Sequence, residues 1–97
     1  MAAVRLMVRG RVQGVGFRHF VAEEATAHGL RGWVRNRRDG AVEALVMGSE
    51  DAIATFSEVV RRGPGSAEIE QLVAEKADEK ELSLRQPGEA FSILPTA

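Results

Sequence analysis

The sequence predicts an α+β fold, a ferredoxin-like βαββαβ sandwich with an antiparallel sheet and two helices on one face. Two stretches with apolar residues at helical spacing, residues 17–28 and 50–62, lie among segments in which apolar and polar residues alternate as in half-buried strands. The resulting order of elements, β-α-β-β-α-β, places both crossover helices on the same face of the sheet. The 97 residues suffice for a single domain, residues 1–97, with one modest core.

The first half of the chain predicts a strand, a helix and a second strand. Val4, Leu6 and Val8 alternate with more polar neighbours, which indicates a strand over residues 4–12. A helix is expected over residues 17–28, with Gly29 as its C-cap. The second strand is expected over residues 30–36, so that Asn36 is its last residue.

The second half predicts a turn, a strand, a helix and two further strands. Residues 38–40 (Arg-Asp-Gly) are a turn signal, and a third strand is expected over residues 42–47. Ser49 is a suitable N-cap for the second helix, and the Gly-Pro-Gly at 63–65 ends it. Its buried stripe is predicted to contain Ile53, Phe56 and Val60. Residues 69–77 are expected to form a weaker strand, residues 75–81 a charged surface turn, and residues 91–94 a short closing strand.

The composition excludes several classes of protein and of site. The chain has no cysteine, which rules out disulfides, thiolate catalysis and cysteine metal sites. Its apolar runs are far shorter than a membrane span, and no signal-peptide pattern is present, so we expect a cytoplasmic protein with no membrane partner. The net charge of −1 provides no overall attraction to nucleic acid.

The basic residues are concentrated in the front part of the chain. Ten of the eleven arginines precede Gly63, and half of the fourteen acidic residues lie between Glu68 and Glu89. This distribution predicts a basic field around the front part, which suits a small anion. A codon preference for arginine explains the same excess equally well.

The segment from Gly10 to Arg18 has the features of an anion-binding turn. Its three glycines lie where the first strand gives way to the first helix, and such a turn exposes backbone N–H groups near the positive end of the helix dipole. Arg18 adds a forked guanidinium that matches phosphate oxygens. The alternative interpretation is that the glycines only permit positive φ angles. The segment is neither a Walker P-loop nor a good match to the dinucleotide-binding fingerprint.

The predicted topology brings Asn36 to the same end of the molecule as this turn. The first two strands run in the same direction, although the third strand lies between them. Their C-terminal ends therefore meet at one edge of the sheet. This geometry makes Asn36 a candidate partner of Arg18.

Two segments of the chain resemble the signature stretches of the acylphosphatases. They are residues 10–18 (GRVQGVGFR) and residues 32–43 (GWVRNRRDGAVE). The resemblance covers nearly the whole chain in length and element order, and it includes the Gly-Pro-Gly at 63–65, Ala67 and the Phe-Ser-Ile at 91–93. The departures are peripheral: residues 68–86 are acidic and poorly patterned, and residues 94–97 contain no aromatic or basic residue.

The resemblance implies an enzyme that hydrolyses acyl phosphates, with inorganic phosphate as its product and competitor. By analogy with the family, Arg18 binds the phosphate and Asn36 positions the attacking water. The backbone amides of the turn complete the phosphate cradle: Gln13, Gly14, Val15, Gly16 and Phe17. We expect neither a metal nor a cofactor, because no cluster of acids or histidines has ligand spacing and Arg18 already supplies a cation. The expected oligomeric state is a monomer.

Three other functions remain open. The main alternative is a ferredoxin-like nucleic-acid-binding module, favoured by four arginines: Arg31, Arg35, Arg37 and Arg38. Such modules stack bases on aromatic residues of the two central strands, and these strands contain none. Similar domains also occur fused to larger carbamoyl-transfer proteins, and the last alternative is a small-ligand regulatory module.

The histidines and the tryptophan are expected to have structural roles. His19 follows Arg18 and therefore points about 100° away around the helix. His28 is expected to interact favourably with the negative end of the first helix. Trp33 is expected in the core.

Overall fold

The computed structural model describes residues 1–97 and confirms the predicted fold class. The strands and helices agree with the predicted boundaries to within two residues. In the first half they are β1 (Ala2–Arg11), α1 (Phe17–Ala27), β2 (Arg31–Asn36) and β3 (Val42–Gly48). In the second half they are α2 (Glu50–Arg62), β4 (Glu68–Lys76), a short 3₁₀ helix η1 (Glu79–Leu84) and β5 (Phe91–Ile93).

The five strands form one sheet in the order β4-β1-β3-β2-β5. Its first three pairs, β4 with β1, β1 with β3 and β3 with β2, are antiparallel, whereas β2 and β5 are parallel. The four strands β4, β1, β3 and β2 are therefore antiparallel as predicted, and the additional short strand β5 makes the whole sheet mixed. The chain reverses direction between β4 and β5, so β5 runs opposite to β4 and parallel to β2.

The main core lies between the sheet and the two helices. It consists of 14 buried residues, and each layer contributes alternating or helically spaced apolar side chains. The residues predicted for the buried stripe of α2 are all in this core: Ile53, Phe56 and Val60. Because successive side chains of β1 point to opposite faces of the sheet, Leu6 and Val8 lie in the core and Arg5 lies on the opposite face.

The opposite face of the sheet has a second, smaller core. It contains Trp33, Leu45 and Leu94, and Ala77 and Leu82 pack against it. The Trp33 indole Nε1 donates a hydrogen bond of 2.7 Å to the backbone oxygen of Glu81 in η1. Trp33 is therefore a core residue, as predicted, but it anchors η1 rather than a long helix.

The charged surface turn predicted for residues 75–81 is correct in its exposure but not in its secondary structure. Glu75 is still part of β4, and Glu79 begins η1. Ala77 of this segment and Leu82, the residue that follows it, pack against the second core. Because charged residues dominate the segment, its sequence does not indicate that it covers Trp33.

A buried carboxylate ties three arginines together on this second face. The side chain of Glu43 is 7% exposed, and it accepts hydrogen bonds from Arg5 Nε at 3.0 Å, Arg35 Nε at 2.8 Å and Arg37 Nη1 at 3.3 Å. Arg5 also pairs with Glu81 of η1, and the Arg35 guanidinium lies 4.5 Å from the centre of the Trp33 ring. Charge-assisted bonds and a cation–π contact thus extend the small apolar core of this face.

We expect Glu43→Ala to lower the free energy of unfolding by about 2–3 kcal/mol, since it leaves three neighbouring guanidinium groups without their shared anion. The matched control is Glu75→Ala, which removes a carboxylate that also approaches Arg5, at 3.8 Å, but is 64% exposed. The control should change stability by less than about 0.5 kcal/mol. Urea denaturation measures both values, and equal losses would contradict the structural role given to Glu43.

Candidate active site

The loop between β1 and α1 leaves its concave side open. Gly14 and Gly16 have φ angles of 74° and 77°, a region that favours glycine, and a Cβ built on either would meet no heavy atom within 4 Å. Gly10 has a different role, because a Cβ there would overlap with the backbone oxygen of Glu68 beside the irregularity in the β1–β4 pairing. Within the motif, Gly10 thus permits the close pairing of β1 with β4, whereas Gly14 and Gly16 permit the conformation of the loop.

The first turn of α1 lacks the groups that normally stabilise a helix N-terminus. Its N-cap residue, Gly16, makes no side-chain hydrogen bond, and no acidic residue lies in the first turn. Helix α2 of the same chain is capped in the usual way: Ser49 Oγ accepts from the Ala52 N–H at 3.1 Å, and two acidic residues follow. Arg18 instead places a cation in the first turn of α1, where the helix dipole opposes it.

Six consecutive backbone N–H groups, those of residues 14–19, have no acceptor in the protein. The first hydrogen bond of the helix is donated by Phe20 N–H to the Gly16 oxygen at 3.1 Å. Free N–H groups at a glycine-rich helix N-terminus form a concave anion-binding nest. Arg18 is half-buried beside them and forms no ion pair and no side-chain hydrogen bond.

Asn36 carries the other unpaired polar group. It is the last residue of β2 and pairs with Val42 of β3, which pairs in turn with Val8 of β1. The Asn36 side-chain oxygen Oδ1 is the only buried side-chain polar atom that lacks a hydrogen-bond partner. An unpaired buried acceptor lowers the free energy of unfolding by about 1–3 kcal/mol. Such a loss of stability is typical of residues at functional sites.

The side chain of Gln13 shows that the loop and the end of β2 are in contact. Its Nε2 donates two hydrogen bonds of 2.8 Å, one to the backbone oxygen of Arg37 and one to that of Ala41. Arg37 follows Asn36 directly, so the loop lies against the residue next to Asn36. The glycine-rich turn and Asn36 therefore lie at the same end of the molecule, as the topology predicts.

Comparisons with known proteins identify the family of the chain. The family model described as Acylphosphatase matches residues 4–93. The chain belongs to the acylphosphatase family. An acylphosphatase of Bradyrhizobium diazoefficiens is 52% identical over 95 residues, which cover 98% of this chain and 96% of the relative.

The fold of this chain is similar to that of solved structures, including an acylphosphatase. The crystal structure of acylphosphatase from Bacillus subtilis superposes with a TM-score of 0.84 and 40% identity, and covers 97% of this chain and 99% of that one. The full-length protein HypF, solved in its phosphate- and nucleotide-bound form, matches with a TM-score of 0.83 and 27% identity. This chain covers only 12% of HypF, so the acylphosphatase fold also occurs there as part of a much longer chain.

Three of the predicted cradle residues have side chains that point away from the open side of the loop. Phe17 is buried in the main core, and Val15 packs against that core while its backbone oxygen accepts from Ser66 Oγ at 3.1 Å. The Gln13 side chain is engaged with the β2–β3 turn. Any contact of Val15 or Phe17 with an anion is therefore limited to their backbone N–H groups.

The expected basic field is weaker than the sequence indicates. Glu43 holds Arg5, Arg35 and Arg37 on the second face of the sheet, and Arg9 pairs with Asp39 at 3.1 Å. A cross-strand signal for Glu43 was present, because a turn centred on residues 38–40 places Glu43 opposite Arg35. Asp39 also accepts from the Ala41 N–H, and this bond together with Arg9 lowers the pKa of its carboxyl below the ordinary value.

The side chains of the two histidines take no part in the loop contacts. His19 is exposed, and His28 places Nδ1 2.7 Å from the Glu24 oxygen in the last turn of α1. No group of three or more His, Cys, Asp or Glu side chains is arranged to hold a metal ion. The largest cavity, about 550 Å³, lies at the far end of β1 between α2 and β4, and none of its lining residues belongs to the candidate site.

Inorganic phosphate and sulfate should inhibit competitively, because a tetrahedral anion can accept from the free N–H groups of residues 14–19 and from Arg18. Initial rates at several substrate concentrations should show a rising apparent KM and a constant kcat. Chloride at the same ionic strength is the control and should have little effect. A noncompetitive pattern, or no inhibition at high millimolar phosphate, would argue against this location of the site.

Proposed function

We propose that the chain hydrolyses acyl phosphates to a carboxylate and inorganic phosphate at the loop of residues 13–18. One observation carries the proposal: six unpaired N–H groups and Arg18 lie at the same end of the sheet as the unpaired Asn36 side chain. The loop offers donors for a phosphoryl group, and Asn36 offers an acceptor for the O–H of a water molecule. Membership of the acylphosphatase family supports the same reaction.

The chemistry requires little more than positioning and charge. The leaving group of an acyl phosphate is a carboxylate, which departs with the electron pair of the P–O bond and needs no proton from an acid. The backbone N–H groups and Arg18 hold the phosphoryl oxygens and stabilise their charge as the bond to the carboxylate breaks. The attacking water forms the new P–O bond, and its proton passes to an oxygen of the phosphoryl group.

Asn36 is proposed to orient the water rather than to deprotonate it. A carboxamide is too weak a base to remove a proton, but its oxygen accepts a hydrogen bond in a fixed direction. The backbone of Asn36 is held on both sides, since its oxygen accepts from the Ala97 N–H at 3.0 Å and Arg37 N–H donates to Ala41 at 2.8 Å. A rigid frame of this kind supports in-line placement of a nucleophile.

The domain organisation, location, oligomeric state and partners of the chain are part of the same proposal. The chain would act as one domain of residues 1–97, as a cytoplasmic monomer, on small-molecule acyl phosphates and without a nucleic-acid partner. No helix has the length and apolar character needed to cross a membrane. The central strands β1 and β3 contain no aromatic residue and so offer no stacking platform, which favours the small-molecule substrate over nucleic acid.

Hydrolysis should strongly favour acyl phosphates over alkyl phosphate esters. The proposed site has no general acid, so it cannot protonate an alkoxide, and general acids typically contribute about 10²–10⁴-fold. The value of kcat/KM for benzoyl phosphate should exceed that for benzyl phosphate, a matched ester, by at least about 10³-fold. Comparable turnover of the two compounds would mean that the site contains an acid that this assignment lacks.

Substitutions should separate the roles of Arg18 and Asn36. Arg18→Ala should weaken phosphate binding and lower kcat, and Arg18→Lys should rescue poorly because an ammonium cannot make the forked contact. Asn36→Ala should lower kcat by about 10²-fold or more while the phosphate dissociation constant changes little. Circular dichroism of each variant controls for folding. If Asn36→Ala weakens phosphate binding as severely as Arg18→Ala does, Asn36 belongs to the phosphate cradle instead.

A further inference from the structure

We propose that Gln13 is a positioning residue whose side-chain amide sets the distance between the phosphate-binding loop and Asn36. This inference rests on the proposed function, because it acts through the water-orienting role given to Asn36. The family resemblance suggested only a backbone contact between residue 13 and phosphate. The structure shows instead that the Gln13 side chain joins the two segments that carry the site.

Both N–H groups of the Gln13 amide are used in this contact. Nε2 donates to the Arg37 and Ala41 oxygens at 2.8 Å each, and these two residues are already joined by a 2.8 Å backbone bond from Arg37 N–H to the Ala41 oxygen. Gln13 therefore bonds to both sides of the β2–β3 turn directly after Asn36. A single nitrogen bound to two fixed carbonyl groups has little freedom to move.

Gln13 makes the only side-chain hydrogen bonds between the loop of residues 13–18 and the β2–β3 turn. Arg9, which bonds to Asp39 of that turn at 3.1 Å, belongs to β1 rather than to the loop. Ser66 Oγ donates to the Val15 oxygen at 3.1 Å, but Ser66 lies between α2 and β4 and so fixes the loop on its other side. From the second face, Glu43 holds Arg35 and Arg37, the two neighbours of Asn36. Other side chains thus fix the loop and the end of β2 separately, and the Gln13 side chain joins the two segments.

This linkage has a specific consequence for the reaction. In-line attack depends on the distance from the water at Asn36 to the phosphoryl group in the loop, and displacements of about 1 Å can cost about 10²-fold in rate. Phosphate binding depends only on the loop and Arg18. Loss of the Gln13 side-chain contact should therefore lower kcat and leave phosphate affinity nearly unchanged.

The test combines three substitutions with the Asn36→Ala background. Gln13→Met keeps a side chain of similar length without donors, and Gln13→Asn keeps the amide but is too short to reach both oxygens. Ser66→Ala is the matched control, because it removes the other side-chain bond to the loop. Values of kcat, KM and the inhibition constant for inorganic phosphate are measured for each single variant and for each combination with Asn36→Ala, with folding checked by circular dichroism.

We expect Gln13→Met to lower kcat by about 10- to 100-fold, with the phosphate inhibition constant within about threefold of the parent. In the Asn36→Ala background the same change should lower kcat by less than about threefold, since the water is no longer oriented. Gln13→Asn should give a smaller loss with the same non-additivity, and it provides the test if Gln13→Met does not fold. Ser66→Ala should keep kcat within about twofold in both backgrounds.

Three outcomes would overturn the inference. If Gln13→Met and Asn36→Ala lower kcat independently, so that their effects multiply, Gln13 does not act through Asn36, although the proposed reaction stands. If Ser66→Ala lowers kcat as much, general ordering of the loop explains the effect. If Asn36→Ala itself leaves kcat unchanged, the water-orienting role fails and the inference fails with it.

Discussion

The unpaired N-terminus of α1 is the constraint on which the rest of the site depends. Six consecutive N–H groups have no acceptor in the protein, and Arg18 adds a positive charge where the helix dipole is already positive. Helix α2, by contrast, has Ser49 and two acidic residues at its N-terminus. In the proposed function, a phosphate group would supply what α1 lacks, namely acceptors and negative charge.

The sheet and the main core support this arrangement. The main core fixes both ends of the loop, through Val12 and Phe17, which are each 1% exposed. On the second face, Glu43 binds Arg35 and Arg37, the residues on either side of Asn36. The second face of the sheet, covered here by η1, thus stiffens the edge that carries the candidate site.

The sequence predicts most of the fold because its periodic signals are local. Alternation in β1, the Ser49 cap and the Gly-Pro-Gly stop each depend on neighbouring residues, and all are confirmed. The parallel pairing of β5 and the packing of η1 on Trp33 are long-range contacts, separated by tens of residues from their partners, so no local pattern reveals them.

The candidate site, like the fold, could be predicted from the sequence only in part. Topology alone brings Asn36 to the glycine-rich turn, because strands one and two share a direction. The role of the Gln13 side chain could not be predicted, since its partners are backbone oxygens of Arg37 and Ala41, which have no sequence signature. The sequence predicts a basic field around the arginines, because only the pairing of Glu43 with Arg35 follows from the turn at residues 38–40 and the bonds of Glu43 to Arg5 and Arg37 do not.

The most direct test of the central claim is a titration with inorganic phosphate followed by two-dimensional ¹H–¹⁵N NMR of the whole chain. The account predicts that the largest and saturable shifts occur at the backbone amides of residues 14–19, with a smaller response at the Asn36 carboxamide. Shifts centred instead on the large cavity beside Ile53 and Lys76, or spread evenly over the exposed arginines, would contradict it.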